Sequence, residues 1–228
     1  MATIWILIAS IGDQRYLAET LDSINFLRKS NNSNNYNITT VVSLHHINKS
    51  NDVISNRGVK DTPNVIIYNQ DLPLSQFQHY NFLADQLSIA NDDIVVVCDD
   101  DDIFLPNAFD AIISRSSFVG LQILFNDRPT SELFSLLKEH PEVLEAFTQK
   151  LQADRIVDDL SGTTTSGRYF KEYFTIRKDD RYIVAMLEDT NYMNYIESLP
   201  NIIKLQTPII IHRLKSRTSL WLQRLADV

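Results

Sequence analysis

The run Asp99-Asp100-Asp101-Asp102 is where the side chains most able to do chemistry are concentrated. Four adjacent carboxylates repel one another, and a hard divalent cation with oxygen ligands is the usual relief. A solvated charged turn is the plain alternative, but turn chemistry favours Gly or Asn over four Asp. An EF-hand loop is excluded by spacing, since no Gly and no closing Glu stand at the required places. A phosphatase with an aspartyl nucleophile would carry it on the first strand, not here. Two further acidic pairs, Asp158-Asp159 and Glu188-Asp189, and a late histidine, His212, complete the inventory.

These residues need a scaffold, and the segment before them supplies one. Ile94 to Cys98 is β-branched and apolar, as expected of a strand buried on both faces of a parallel sheet. In open α/β sheets ligands sit beyond the carboxyl ends of the strands, where the four aspartates fall. Thr3 to Ala9, Ile38 to Leu44 and Asn64 to Tyr68 read as three more strands. Tyr16 to Leu27 and Pro73 to Ile89 carry helical apolar spacing. The alternation predicts an α/β fold with a mostly parallel central sheet flanked by helices.

Beyond Pro106 the pattern predicts helices over 107–117, 131–140, 141–151 and 182–196, and strands over 119–125, 168–176 and 202–211. Ser161 to Gly167, rich in hydroxyls and holding two of the five glycines, reads as a flexible loop. Ser219 to Ala226 is an amphipathic tail. Packing on the domain is its commoner fate, with peripheral contact to a membrane the other.

Composition narrows the class. The 228 residues suit one domain with a single core, and the net charge of −8 argues against a nucleic-acid surface. One cysteine, Cys98, excludes an internal disulfide and is expected to be a buried strand residue. With no signal-peptide pattern and no span-length apolar stretch, the chain reads as cytoplasmic.

Four segments carry a family likeness. Ala9-Ser10-Ile11-Gly12-Asp13-Gln14-Arg15-Tyr16-Leu17-Ala18-Glu19-Thr20-Leu21-Asp22-Ser23-Ile24 resembles, without a gap, the first strand-to-helix segment of family-2-like glycosyltransferases with the GT-A fold. Asp99 to Pro106 resembles that family's D-S-D-D-x-x-L-P segment, Gln78 to Leu83 stands where its A-R-N-x-G helix lies, and Glu188-Asp189 resembles its E-D pair. The likeness covers about the first 110 residues. Gly12-Asp13 replaces the family's Asn-Arg, and Ser43-Leu44-His45-His46 stands in place of its usual Asp-Asp-Gly-Ser.

The resemblance implies a single GT-A-like domain over 1–228, with 1–106 binding the nucleotide sugar and 107–228 the acceptor. It implies sugar transfer from a nucleotide diphosphosugar, UDP-linked by default, to a hydroxyl acceptor such as a glycan. The cofactor would be Mn²⁺ or Mg²⁺ held by Asp101, Asp99, Asp102 and His212. Asp101 is the first choice, and strand alternation turns Asp100 away. Ala9, Ser10, Ile11, Asp13, Asn81, Asp99, Asp100 and Lys215 would contact the donor nucleotide. Asp189 would be the general base of an inverting reaction with Glu188 orienting it, and Asp158-Asp159 is the competing base site. A sugar-nucleotide nucleotidyltransferase and a non-catalytic nucleotide- and metal-binding domain are the other readings.

Overall fold

The computed structural model describes residues 2–10, 14–30, 36–45, 64–72, 74–114, 116–125, 156–177 and 188–213. The helices expected over 131–140 and 141–151, the tail 219–226, and Ile11, Asp13, His46 and Lys215 lie outside them.

Eight strands form one sheet in the order β3-β2-β1-β4-β7-β6-β8-β5. They are β1 (Thr3–Ser10), β2 (Asn37–His45), β3 (Val65–Gln70), β4 (Ile94–Asp99), β5 (Ile103–Phe104), β6 (Phe118–Phe125), β7 (Ile156–Ser166) and β8 (Ile210–Arg213). Six strands run one way, and β7 and β5 run against them. The expected mostly parallel α/β sheet is therefore present.

Among the described residues five helices cover it: α1 (Gln14–Ser30), α2 (Gln76–Gln86), α3 (Ala108–Ile113), α4 (Gly167–Arg177) and α5 (Glu188–Glu197). Side chains alternate across each strand, so each face buries its own set. Ile4, Ile6, Ile8, Val96 and Cys98 pack against α1 and α3. Leu7, Val41, Val95 and Val97 pack against an aromatic layer from α2, α4 and α5. In that layer Phe77, Phe170, Tyr173, Phe174 and Tyr192 meet mostly edge to face. Cys98 is free and buried, as expected. Among the described residues no helix is long and apolar enough to cross a membrane.

The second half corrects three expectations. Ser161 to Ser166 is not a loop but the end of β7, with Ser161, Thr163, Thr164 and Thr165 all buried. Their hydroxyls are satisfied locally. Thr164 Oγ1 donates to the Gly162 carbonyl at 3.0 Å, Thr163 Oγ1 accepts from the Gly120 N–H at 3.0 Å, and Thr165 pairs with Ser117 at 3.1 Å. Buried polar groups are tolerated when so paired. Residues 168–176, expected as a strand, form α4, whose Phe170, Tyr173 and Phe174 recur at helical spacing on one face. Of 202–211 only the end is strand, Ile202 making an isolated bridge to Ser117.

Asp93 clasps the foot of the sheet. Its carboxylate accepts from the Thr3 N–H at 2.9 Å, Trp5 Nε1 at 2.8 Å and the Ala90 N–H at 2.8 Å, and its carbonyl accepts from the Gly167 N–H at 2.8 Å. Gly167 is required there, because a Cβ would stand 2.1 Å from the Ala90 carbonyl oxygen. From that end β4 pairs with β7 over Ile94–Val96. At the top of β4 the Asp99 N–H is held instead by Ser161 Oγ, at 3.1 Å.

Candidate active site

The acidic run leaves the top of β4 and is held from below by α1. The Ser10 hydroxyl donates to Asp100 Oδ2 at 2.5 Å, and Thr20 Oγ1 donates to the Asp100 carbonyl at 2.9 Å. Ser23 Oγ, also on α1, accepts from the Phe104 N–H at 3.1 Å. Thr20 and Ser23 are fully buried, so these bonds are shielded from water. Asp100 and Asp101 form a turn that brings Asp102 to the start of β5 beside β8.

The β5–β8 register, Ile103 opposite Ile211, puts Asp102 next to His212. The imidazole Nδ1 lies 2.7 Å from Asp102 Oδ1 across 110 residues of sequence. Asp99, Asp102 and His212 each offer a ligand atom within 4.8 Å of the others. Asp102 is fully buried, and its other oxygen, Oδ2, is a buried acceptor with no partner. Such an acceptor calls for a donor or a cation. Two carboxylates and an imidazole suit a divalent ion such as Mn²⁺ or Mg²⁺. The residues present therefore fit the cofactor that the sequence implies. Asp101, though buried, lies outside this group of three.

The charges are strained in the way a cation would relieve. Burial, then Asp102, Asp101 and Asp159, push the Asp99 carboxyl well above the ordinary carboxylate range. Burial disfavours a charged His212, but Asp102, by charge and hydrogen bond, and then Asp101 and Asp99 outweigh it and raise the imidazole to about 10. Its Nδ1–H is thus the donor to Asp102, and Nε2 could ligate a cation once that cation displaces its proton.

Asp189 opens α5, in the first turn beside Glu188. The residue is exposed to solvent, yet the protein packed around its carboxyl, then the charges of Asp159 and Glu188, raise it to about 6. Glu188 is buried and accepts a hydrogen bond from Tyr173 Oη at 3.2 Å, which anchors the start of the helix.

The donor-contact residues divide. Ala9 and Ser10 end β1, and Ala9 pairs with Ser43 on one side and Asp99 on the other, within the expected rim. Asp100 is bound toward α1. Asn81 lies half-buried in the middle of α2, off the face that meets the rim. Residues not singled out from sequence take that place. Gln76 Nε2 donates to Asp99 Oδ1, and Ser43 Oγ bonds to His79 Nδ1 at 2.7 Å while accepting from Gln70 Nε2 at 2.9 Å. A Ser75–Gln78 capping box forms and starts α2 at Gln76, inside the helix expected over 73–89. Burial lowers His79 to about 4, so it is a neutral structural imidazole at pH 7.

The chain matches no protein-family model and no curated protein sequence. Its fold is shared with solved structures at low identity. A crystal structure of 4-diphosphocytidyl-2C-methyl-D-erythritol synthase superposes with a TM-score of 0.54 at 11% identity, covering 100% of this chain and 99% of that one. The S. aureus TarS 1–349 structure gives 0.57 at 10% identity, covering 93% and 60%. The mannosyltransferase PcManGT from Pyrobaculum calidifontis, in complex with GDP-Man and Mn²⁺, gives 0.54 at 12%, covering 98% and 61%. The chain thus spans the length of the synthase but about three-fifths of the TarS 1–349 and PcManGT chains. These likenesses establish the GT-A-like fold.

Proposed function

We propose that this protein is a cation-dependent glycosyltransferase that moves a sugar from a nucleotide diphosphosugar, UDP-linked by the family likeness, to a hydroxyl acceptor with inversion. The observation that carries the reading is the Asp99–Asp102–His212 group at the carboxyl rim of the sheet, with the raised carboxyl of Asp189 sharing one neighbour, Asp159, with that group. Asp99, Asp102 and His212 would hold Mn²⁺ or Mg²⁺, whose chemistry is to neutralise charge on the diphosphate leaving group. Ala9 and Ser10 border the nucleotide. Asp189 takes the acceptor's hydroxyl proton as the acceptor oxygen bonds to the anomeric carbon. The bond from that carbon to the diphosphate breaks, and its electron pair leaves with the diphosphate. A carboxyl near pH 6 is ionised at neutral pH yet basic enough for this. Glu188, pinned by Tyr173, orients the helix start that carries Asp189.

A nucleotidyltransferase is the second reading, supported by the full-length superposition on the synthase. Such an enzyme handles a triphosphate and wants a Gly-rich basic loop after the first strand, whereas residues 9–15 hold only Gly12 and Arg15 of that kind.

Calorimetric titration of UDP, GDP, CDP and TDP, with and without Mn²⁺, tests the proposal on wild type and Asp102→Ala. The expected result is one diphosphate bound only with Mn²⁺ and lost in the variant. Preference for a triphosphate, with pyrophosphate release in the presence of a sugar phosphate, favours the second reading. Absence of all nucleotide binding overturns both.

A further inference from the structure

Asp159 is a half-buried carboxylate near the rim that the proposed reaction leaves unused. Backbone geometry sets its position. It pairs with Gly120 of β6, where the register shifts between Phe118 and Gly120. A bulge of this kind bends a strand and re-aims its side chains, and bulges recur beside active sites. The close approach requires glycine, because a Cβ on residue 120 would lie 1.9 Å from the Ser161 carbonyl oxygen.

Alternation then separates the two acids of the pair. Asp158 turns to the far face and meets Lys204 at 3.8 Å. Asp159 takes the face shared with Ser161, which holds the Asp99 backbone. Its Oδ1 accepts from the Leu160 N–H at 2.6 Å, and Thr163 Oγ1 donates to its carbonyl at 3.1 Å, so the carboxylate is held in a fixed pose.

Its charge reaches both working parts of the site. Asp159 acts on Asp99 and, in turn, feels Asp102 and His212. It is also the strongest charged neighbour acting on Asp189. In an in-line transfer the sugar ring must lie between the diphosphate at the cation group and the acceptor hydroxyl at the base. Asp159 lies on the β7 face whose Ser161 holds the Asp99 amide, which sets its carboxylate where it can reach such a ring.

We propose that Asp159 grips the transferred sugar: its carboxylate accepts a hydrogen bond from a ring hydroxyl and faces the ring as positive charge develops at the anomeric carbon. A fixed negative charge there favours the transition state over the ground state. The inference rests on the transferase reading above and adds a sugar contact to it.

A ligand without a sugar does not engage Asp159, and that separates the two claims. The test is calorimetry in Mn²⁺ of the preferred nucleoside diphosphate and of its glucosyl, galactosyl, mannosyl and N-acetylhexosaminyl esters, on wild type and Asp159→Asn. The amide variant keeps the side chain's shape and its acceptor for Leu160. The expected outcome is bare diphosphate affinity within about twofold of wild type and a loss of about tenfold for the diphosphosugar, the size of a hydrogen bond to a charged group. Should Asp159→Asn melt below the assay temperature, Asp159→Glu, which shifts the charge by one methylene, is read by the same criterion. Unchanged affinity for both ligands overturns the sugar contact and leaves the transferase reading intact. Equal loss for both also overturns it and makes Asp159 part of the cation group. A wild type that binds no nucleotide overturns both.

Discussion

The two halves of the sheet are built on different principles. In β1 and β4 the strands are dry below the rim: Ile4, Ile6, Ile8 and Val95 to Val97 are buried on one face or the other, while β2 beside them buries the hydroxyls of Thr39, Thr40 and Ser43 along with Val41 and Val42. In β7-β6-β8-β5 the interior itself is polar. Ser161, Thr163, Thr164, Thr165 and Gln122 are buried within two central strands. The first half is held by transfer of apolar surface from water. The second relies also on hydroxyls that satisfy neighbouring backbone, which lets carboxylates stand close to the core at modest cost. The candidate site spans the seam, with Asp99 from the dry half and Asp102, Asp159, Asp189 and His212 from beyond it.

The largest expected effect separates the halves by function. Asp189→Asn should leave nucleotide binding near wild type while lowering transfer by about 10²–10⁴-fold, the usual worth of a general base. In the wild type the carboxyl is raised to about 6, so the rate should fall as pH drops through that value and the base is protonated. A pH–rate profile flat down to pH 5 would remove Asp189 from its role.

The next effects concern the frame. Gly120→Ala should destabilise by about 3 kcal/mol, the upper end for overpacking, because backbone rather than a flexible side chain stands in the way. Urea denaturation measures this, and a loss under 1 kcal/mol would mean that the β6–β7 contact yields easily. A reciprocal pair then sets dry against polar directly. Val96 and Thr164 are partners in the β4–β7 register, both buried. Val96→Thr should cost about 2 kcal/mol, since it places a hydroxyl in the dry half. Thr164→Val should cost about 1 kcal/mol, the net worth of the bond to the Gly162 carbonyl. The reverse order in thermal or urea unfolding would erase the distinction between the halves.

The same contrast explains what could be read in the sequence. Apolar runs made β1, β2, β3 and β4 legible, and the run into Asp99 placed an acidic rim on the sheet. β7 was not legible, because hydrophobic periodicity does not register a strand whose buried residues are Ser and Thr bonded to backbone. The β-branched and aromatic residues of 168–176 suggest a strand, and only the packing of Phe170, Tyr173 and Phe174 on one core reveals the helical period. At the site, alternation is a guide only while the chain is extended. After Asp99 it turns, so which aspartates approach His212 depends on the β5–β8 register, 110 residues distant in sequence. Gln76 and Ser161 carry no motif, since they meet Asp99 only through tertiary packing.

The Asp93 clasp fixes one end of the seam between β4 and β7. Four hydrogen bonds rivet the foot, where Thr3, Trp5, Ala90 and Gly167 converge. The β4–β7 ladder extends from there only as far as Val96. At the top of β4 the strands meet through a serine hydroxyl on a backbone amide. The seam is therefore fastened by backbone and side-chain bonds at its foot and by a single side-chain bond at its top, and the apolar core runs unbroken beneath both.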